Sequence, residues 1–137
     1  MDYNAITKAV AAQLMKWNPV DTWIETNSIG DFFFDSLKEK YEGKLSSFYT
    51  LNKNKQQIIE NLIVDFETEA IKIINSESLL NELKTFGIEF SKKNRSVVYR
   101  RMYGAHDDCV MSLAFTNAAY HHYYKRSSFS YYVGNKH

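Results

Sequence analysis

The pattern of hydrophobic and polar positions predicts helices that alternate with short strands along this chain. Apolar residues recur every three or four positions between residues 3 and 17, which is the spacing of one helix face, and Asn18-Pro19 ends that helix. The β-branched and aromatic run over residues 20–26 is too short for a helix and precedes a tight loop, so it predicts a buried strand. The same criteria predict further helices over residues 32–41, 54–70, 76–86 and from about residue 107, and further strands over residues 45–51, 71–74, 88–90 and 97–101.

This order of elements predicts the fold class and the domain organisation. Strands that alternate with helices favour an α/β layer fold with parallel crossovers, and the last two strands form a hairpin that turns at Lys93-Asn94. No internal repeat or linker interrupts the pattern. We therefore expect one domain over residues 1–126 and a flexible, Ser- and Tyr-rich tail over residues 127–137.

The composition is that of a soluble globular protein. Of the 137 residues, 45% are hydrophobic and 24% are charged, with 5 Gly and 1 Pro, which excludes disordered and collagen-like chains. The single cysteine excludes an internal disulfide framework and a cysteine-built zinc site, so we expect a reducing cytosol. No membrane-length apolar run, signal-peptide pattern or P-loop motif is present, so we expect neither a membrane protein nor a P-loop ATPase.

Charge is distributed unevenly along the chain. Residues 1–90 carry 9 Lys and Arg against 14 Asp and Glu, whereas residues 91–137 carry 8 against 2. Within the second part, residues 91–103 hold five basic side chains and no acidic one. Such a block suits a polyanion such as nucleic acid, but it equally suits a solvated hairpin whose lysines protect a strand edge, and both interpretations stay open. The five basic residues are Lys92, Lys93, Arg95, Arg100 and Arg101.

Three acidic residues have contexts that suit metal-dependent chemistry. Glu25 lies near the C-terminal end of an otherwise apolar predicted strand, where ligands gather in open α/β sheets, although it could also point outward from a one-sided strand. His106-Asp107-Asp108 opens a long apolar helix, where capping explains one Asp but not two. Helical spacing directs Asp107 towards the strand ends, so we expect its carboxyl group or that of Asp108 within about 4–8 Å of the Glu25 carboxyl group. Converging carboxylates are the ligands that Mg²⁺ or Mn²⁺ requires.

The other reactive residues fit structural roles better than catalytic ones. Cys109 fits a core thiol of the last helix, because the sequence offers no evident basic partner for it. His121 and His122 are adjacent, so on a helix their side chains diverge by about 100°, which fits surface or rim positions rather than a metal pair. Asp2 precedes the first helix and fits a cap.

Four segments of the chain together resemble a known protein family. They are IETNSIGD (residues 24–31), FYTLNKNKQQIIENL (48–62), LLNELKTF (79–86) and GAHDDCVMSLAFTNA (104–118), in this order. They are similar to the C-terminal nuclease domain of the large terminase subunit of tailed bacteriophages. The resemblance implies an RNase H-like, three-layer α/β fold with a mixed sheet, flanking helices and a β-hairpin. It also implies a nuclease that cuts concatemeric viral DNA with divalent metals during packaging.

The resemblance further implies roles for individual residues. Glu25 matches the family's second catalytic acid, and Asp107 and Asp108 match the acidic pair that opens the last helix, at least one of which binds metal. His106 matches the His found beside that pair in many members. The implied cofactor is therefore Mg²⁺ or Mn²⁺ in a two-metal site, of which these three acids supply the part that this chain contains. The residues implied to contact DNA are Lys53 and Lys55 after the second predicted strand and, in the hairpin, Lys92, Lys93, Arg95, Arg100 and Arg101.

One departure from the family limits what the resemblance implies about activity. The family's domain opens with three strands, the first of which carries an essential Asp, whereas this chain begins within the helix that follows them. We therefore expect an incomplete RNase H-like domain that is weak or inactive alone as a nuclease. We also expect an exposed edge at the predicted strand over residues 20–26, through which the chain pairs with itself or with a chain carrying the missing strands.

Three functions stay open on the sequence. The first is part of a phage DNA-packaging terminase in the cytoplasm of a bacterial host. Its implied partners are double-stranded DNA, the ATPase motor, the portal and the small terminase, with no membrane. The second is a non-catalytic module derived from that domain, which binds DNA or docks on a packaging partner. The third is a resolvase-type nuclease, since the Holliday-junction resolvases share the architecture with looser motifs.

Overall fold

The structure, a computed structural model, describes residues 2–91, 96–101, 106–125 and 133–134, which belong to two compact units. Unit 1 contains residues up to Thr50 and the strand at 133–134, and unit 2 contains residues from Leu51 to Lys125. The elements of unit 1 are α1 (Tyr3–Trp17), β1 (Thr22–Glu25), α2 (Gly30–Lys38), β2 (Leu45–Phe48) and β5 (Val133–Gly134). Those of unit 2 are α3 (Asn52–Glu67), α4 (Glu77–Thr85), β3 (Phe86–Ser91), β4 (Ser96–Arg101), α5 (Asp108–Tyr120) and a π-helical segment (His121–Lys125).

The ends of α1 follow from local chemistry. The Asp2 carboxylate accepts hydrogen bonds from the backbone N–H groups of Asn4 and Ala5, so its predicted capping role is confirmed. At the other end Asn18 adopts a left-handed conformation with φ 45°, and its N–H donates to the Leu14 carbonyl before the proline ends the helix. The predicted apolar stripe of Ile6, Val10, Leu14 and Trp17 is confirmed in part. Val10 and Leu14 pack against the core, whereas Trp17 is 72% exposed, because the most buried face of the helix carries Thr7 and Ala11.

The sheet of unit 1 is mixed, as expected. β1 pairs parallel with β2, and β5 pairs antiparallel with β2 on the other side. Asp21, just before β1, accepts hydrogen bonds from the Ser46 hydroxyl at 3.0 and 2.8 Å, which ties the two parallel strands together at their N-terminal ends. Within the described residues β1 is an edge strand, and the expected self-association through it stays a prediction. β5 was not predicted, and the rest of the predicted tail lies outside the described residues.

The core of unit 1 lies between its helices and β2. Residues from α1, α2 and the segment leading into β2 are almost fully buried together. Burial of such side chains contributes about 1.5–3 kcal/mol each for the larger ones, so this cluster fixes both helices against the sheet. The buried cluster consists of Ala11, Phe34, Leu37, Tyr41 and Leu45.

Unit 2 packs α3, α4 and α5 around a second apolar cluster. α5 contacts both α3 and α4, so the helix that opens with Asp107-Asp108 is held from two sides. β3 and β4 form the predicted antiparallel hairpin, with Phe86 opposite Arg101 and Ser91 opposite Ser96. The predicted turn at residues 93–94 lies outside the described residues. The buried apolar residues of the cluster are Ile58, Ile59, Leu62, Leu79, Val110, Ala114 and Ala118.

Two sequence predictions in unit 2 were wrong. No strand forms over residues 71–74, because Ile73 and Ile74 line a cavity beside α5 instead of entering a sheet, and Ile74 stays 76% exposed. Asn54, where the sequence predicts the helix to begin, is instead the third residue of α3. Its Oδ1 accepts a hydrogen bond from the Leu51 N–H at 2.6 Å, so the helix begins two residues earlier.

None of the helices in the described part of the chain is both long and apolar enough to span a membrane.

Candidate functional site

Glu25 ends β1, and the backbone around it is held by the loop that follows. The Glu25 side chain is exposed. The Thr26 N–H donates to the Phe48 carbonyl at 2.9 Å, which continues the β1–β2 pairing by one residue. Asn27 then extends it further, since its Nδ2 donates to the Thr50 carbonyl at 2.7 Å and its Oδ1 accepts from the Thr50 N–H at 2.8 Å. The carboxylate therefore stands at the carboxyl end of two parallel strands, where ligands bind in open α/β sheets.

The turn after Glu25 depends on Gly30. A Cβ atom at this position would collide with the Glu25 carbonyl, so the start of α2 approaches β1 more closely than any other residue would allow.

Replacing Gly30 with alanine should therefore lower the free energy of unfolding by about 1–3 kcal/mol, because the new methyl group must push α2 away from the strand. Urea unfolding measures the change. Ile29→Ala is the matched control, since Ile29 is its exposed neighbour and should have a small effect. Equal effects of the two substitutions would show that a methyl group at position 30 does not destabilise the protein by colliding with the Glu25 carbonyl.

Asp107 and Asp108 lie at the start of α5, but neither carboxylate caps the helix in the expected way. Asp107 is the N-cap residue, and its carbonyl accepts the hydrogen bond of the Met111 N–H at 2.9 Å. Its side chain makes no capping hydrogen bond. Asp107 is half-buried, and both Asp108 and His106 are exposed. A capping hydrogen bond therefore does not explain Asp107, and two carboxylates, the type of hard oxygen ligand that Mg²⁺ prefers, lie at the start of α5.

Glu82 of α4, which the sequence did not indicate as a site residue, caps the start of α5 instead. Its Oε2 accepts hydrogen bonds from the N–H of Cys109 at 2.6 Å and from the N–H of Val110 at 3.1 Å. No pattern in the sequence connects Glu82 with a helix 26 residues further along, because the contact depends on how α4 packs on α5.

The two lysines of α3 that were predicted to contact DNA, Lys53 and Lys55, have different surroundings. The Lys55 Nζ lies 3.9 Å from the Asp107 Oδ2, so the structure brings this lysine to the acidic pair. Lys53, two residues earlier in α3, is exposed.

The predicted basic hairpin is described in part. Arg100 and Arg101 belong to β4, opposite Gly87 and Phe86 of β3. Lys92, Lys93 and Arg95 lie outside the described residues.

Cys109 is half-buried beside Asp108, and its surroundings disfavour the thiolate. Burial first, and then the Glu82 carboxylate, raise the pKa of the Cys109 thiol above its ordinary value, and Asp108 adds to the effect. A thiol with a raised pKa is a poor nucleophile at neutral pH, which agrees with the structural role expected from the sequence.

His121 is more buried than the surface or rim position predicted from the sequence. Its side chain is 13% exposed, and its Nε2 lies 2.6 Å from the Oδ2 of Asp65 in α3. His122 points elsewhere and is exposed, which confirms that the two rings diverge. The burial of His121 could not be predicted, because its partner is 56 residues away.

The described residues contain no group of three His, Cys, Asp or Glu side chains positioned to hold a metal ion. Glu25 belongs to unit 1, whereas Asp107 and Asp108 belong to unit 2. The expected approach of these carboxyl groups therefore stays a prediction.

Comparison with known proteins found matches among solved structures. No protein-family model and no curated protein matches the chain. Three structures of the large terminase nuclease from thermophilic phage G20c do match, at 22% identity. The TM-scores are 0.74 for the structure with bound cobalt, 0.75 for that with bound magnesium and 0.72 for the third. The match covers 86% of this chain but 62% of the G20c chains, so this chain spans less than two thirds of their length. The predicted α/β class and the resemblance are thus confirmed at the level of fold: this chain has the fold of the large terminase nuclease.

Proposed function

We propose that this chain is the nuclease domain, or part of it, of a phage DNA-packaging terminase large subunit, and that it takes part in cutting viral DNA concatemers. The observation that carries the proposal is the match of 86% of the chain to the G20c nuclease fold. The acidic pair Asp107-Asp108 at the start of α5, whose N-cap residue Asp107 makes no capping hydrogen bond with its side chain, adds to this support.

Mg²⁺ or Mn²⁺ is the cofactor in this proposal, held by Glu25, Asp107 and Asp108. The donor set fits such an ion, because all three side chains are carboxylates and hard divalent cations prefer oxygen ligands. The bound magnesium and cobalt of two G20c structures support the use of divalent metals by this fold. When bound, the metal would activate water and stabilise the leaving oxygen of a phosphodiester. The role of the protein chain is to position these carboxylates, that of Glu25 at the end of β1 and those of Asp107 and Asp108 at the start of α5.

Double-stranded DNA is the proposed partner, gripped through its phosphates. Lys53 and Lys55 lie in the first turns of α3, and Lys55 is next to Asp107. The hairpin contributes the other five basic residues named above. Contacts to phosphates carry no sequence information, so binding should be non-specific. The ATPase motor, the portal and the small terminase are the proposed protein partners within the packaging machinery.

DNA binding by the 137-residue chain should weaken steeply with salt. Each phosphate contact contributes a slope of about −0.9 to the dependence of log K on log salt concentration. Replacing Lys92, Lys93 and Arg95 together with alanine should therefore reduce that slope by roughly 2–3. Fluorescence anisotropy with a labelled duplex between about 50 and 200 mM salt measures it.

The matched control replaces three exposed lysines outside the hairpin, Lys8, Lys38 and Lys84, with alanine. This variant loses the same charge and should keep most of the slope. Binding that is flat with salt, or equally reduced by both triple variants, would contradict a role of the hairpin in DNA binding.

A non-catalytic module that binds DNA or docks on a packaging partner is the second candidate function. It predicts the same salt dependence but no specific binding of Mn²⁺ at Asp107 and Asp108.

A further inference from the structure

We infer that a cavity along the C-terminal half of α5 binds an unpaired nucleobase of DNA. This inference rests on the proposed function, because DNA supplies the base, and it adds a contact with one base to the contacts with phosphates proposed above. The cavity has a volume of about 330 Å³ and is lined by α5, by the end of α3 and by the segment that follows α3. Small-ligand sites typically have volumes of roughly 300–1,000 Å³, so this cavity suits a single ring system.

The first argument concerns Asn117 of α5, which lines the cavity. Asn117 is 7% exposed, and its Nδ2 is enclosed and has no hydrogen-bond acceptor among the described residues. A buried donor without an acceptor is unfavourable and rare in folded proteins. A half-turn about χ2 exchanges the two ends of the amide group, so either its N–H donors or its oxygen can meet a ligand. The edge of a base carries complementary groups, and asparagine pairs with adenine through two hydrogen bonds.

The second argument concerns the aromatic side chains beside the cavity. Tyr120, three residues after Asn117, lines the cavity and is 49% exposed. The centroid of its ring lies 5.1 Å from that of the Tyr124 ring, and Tyr124 is 63% exposed. Exposed aromatic rings are the surfaces on which proteins stack unpaired bases. An amide group that can pair with the edge of a base and a ring that can cover its face therefore lie within one turn of α5.

The third argument concerns charge, which favours a base over an anion in this cavity. Asp65, which lines the cavity, is buried, and its Oδ2 lies 2.6 Å from the Nε2 of His121. A carboxylate beside the cavity repels a phosphate, whereas a base is uncharged. Ile71 and Leu113 provide apolar contacts for the ring of the base. Lys72 is exposed beside the cavity, where its ammonium group can contact the phosphate of the same nucleotide.

The test compares the binding of three labelled duplexes to the 137-residue chain by fluorescence anisotropy. One duplex is blunt, the second ends in unpaired adenines, and the third ends in abasic nucleotides, which carry the same phosphates without bases. The duplex with unpaired adenines should bind at least about 10-fold more tightly than the abasic one. Stacking and hydrogen bonding to one base each contribute about 5-fold or more, which gives this expectation.

Variants of the chain assign this preference to the cavity. Tyr120→Ala should weaken binding of the adenine duplex at least about 5-fold, and Tyr120→Phe should not, because phenylalanine keeps the ring. Asn117→Leu keeps the branched shape of the side chain and should also weaken this binding at least about 5-fold. It should not lower the free energy of unfolding, because Nδ2 loses no hydrogen bond within the described residues. Trp17→Ala is the control, since Trp17 is an exposed aromatic residue of α1 that does not line the cavity.

The outcomes distinguish this inference from the proposed function. Equal binding of the three duplexes, with the steep salt dependence expected above, would overturn this inference alone. So would a preference for unpaired adenines that Tyr120→Ala and Asn117→Leu leave unchanged, because the base would then bind elsewhere. Binding of deoxyadenosine monophosphate without any preference among the duplexes would make a free nucleotide the ligand and would also overturn it. Failure to bind any duplex would overturn the proposed DNA partner and, with it, this inference.

Discussion

Replacing Asp107 with asparagine is expected to weaken Mn²⁺ binding at least about 10-fold, because a charged oxygen ligand is lost. Loss of the contact with Lys55 should cost under about 1 kcal/mol of stability, because that contact is long and partly exposed. Calorimetric titration of the variant measures the affinity.

Asp35→Asn is the matched control for this variant. Asp35 is an exposed residue of α2 and is not one of the proposed ligands, so the substitution removes the same charge without removing a ligand. It should leave Mn²⁺ affinity within about twofold, since the field of an exposed charge is screened by salt. An Asp107→Asn variant that binds Mn²⁺ as the original chain does would remove Asp107 from the metal site.

The largest expected effect on stability comes from Asp65. Replacing it with alanine should lower the free energy of unfolding by about 2–4 kcal/mol, because His121 loses its 2.6 Å partner in surroundings where Asp65 is 10% and His121 13% exposed. The pair joins α3 to the segment that follows α5, so its loss should loosen both. Urea unfolding of the variant measures the effect.

Glu67→Ala provides the control, since Glu67 is an exposed acid at the end of the same helix. A double-mutant cycle with His121→Ala isolates the pair itself and should give a coupling of about 1–3 kcal/mol. A coupling near zero would show that Asp65 stabilises the protein through other contacts alone.

Local patterns predicted most of the elements of this chain. The periodicity of α4, the β-branched run of β1 and the hairpin of β3 and β4 all depend on near neighbours, and the structure has them within a few residues of the expected bounds. The short apolar run at residues 71–74 shows where this fails. A strand needs a neighbour to pair with, whereas Ile73 and Ile74 line a cavity together with α4 and α5 residues such as Leu79 and Leu113.

The candidate site could be predicted only as far as its residue types allowed. The acidic pair at the head of α5 was visible in the sequence, but the reason that it is not a cap was not. That reason is Glu82, which reaches α5 from another helix. The strand β5 and the burial of His121 likewise depend on contacts across 56 residues or more, which no local pattern records.

We propose that Glu25, Asp107 and Asp108 belong to one site for divalent metal ions. Broadening of amide NMR signals by substoichiometric Mn²⁺ tests it most directly, because the unpaired electrons of the ion affect the residues closest to it. We expect the amide signals around Glu25 and those of Asp107 and Asp108 to broaden together, and excess Mg²⁺ to restore both sets. Broadening at one set alone, or at neither, would contradict it.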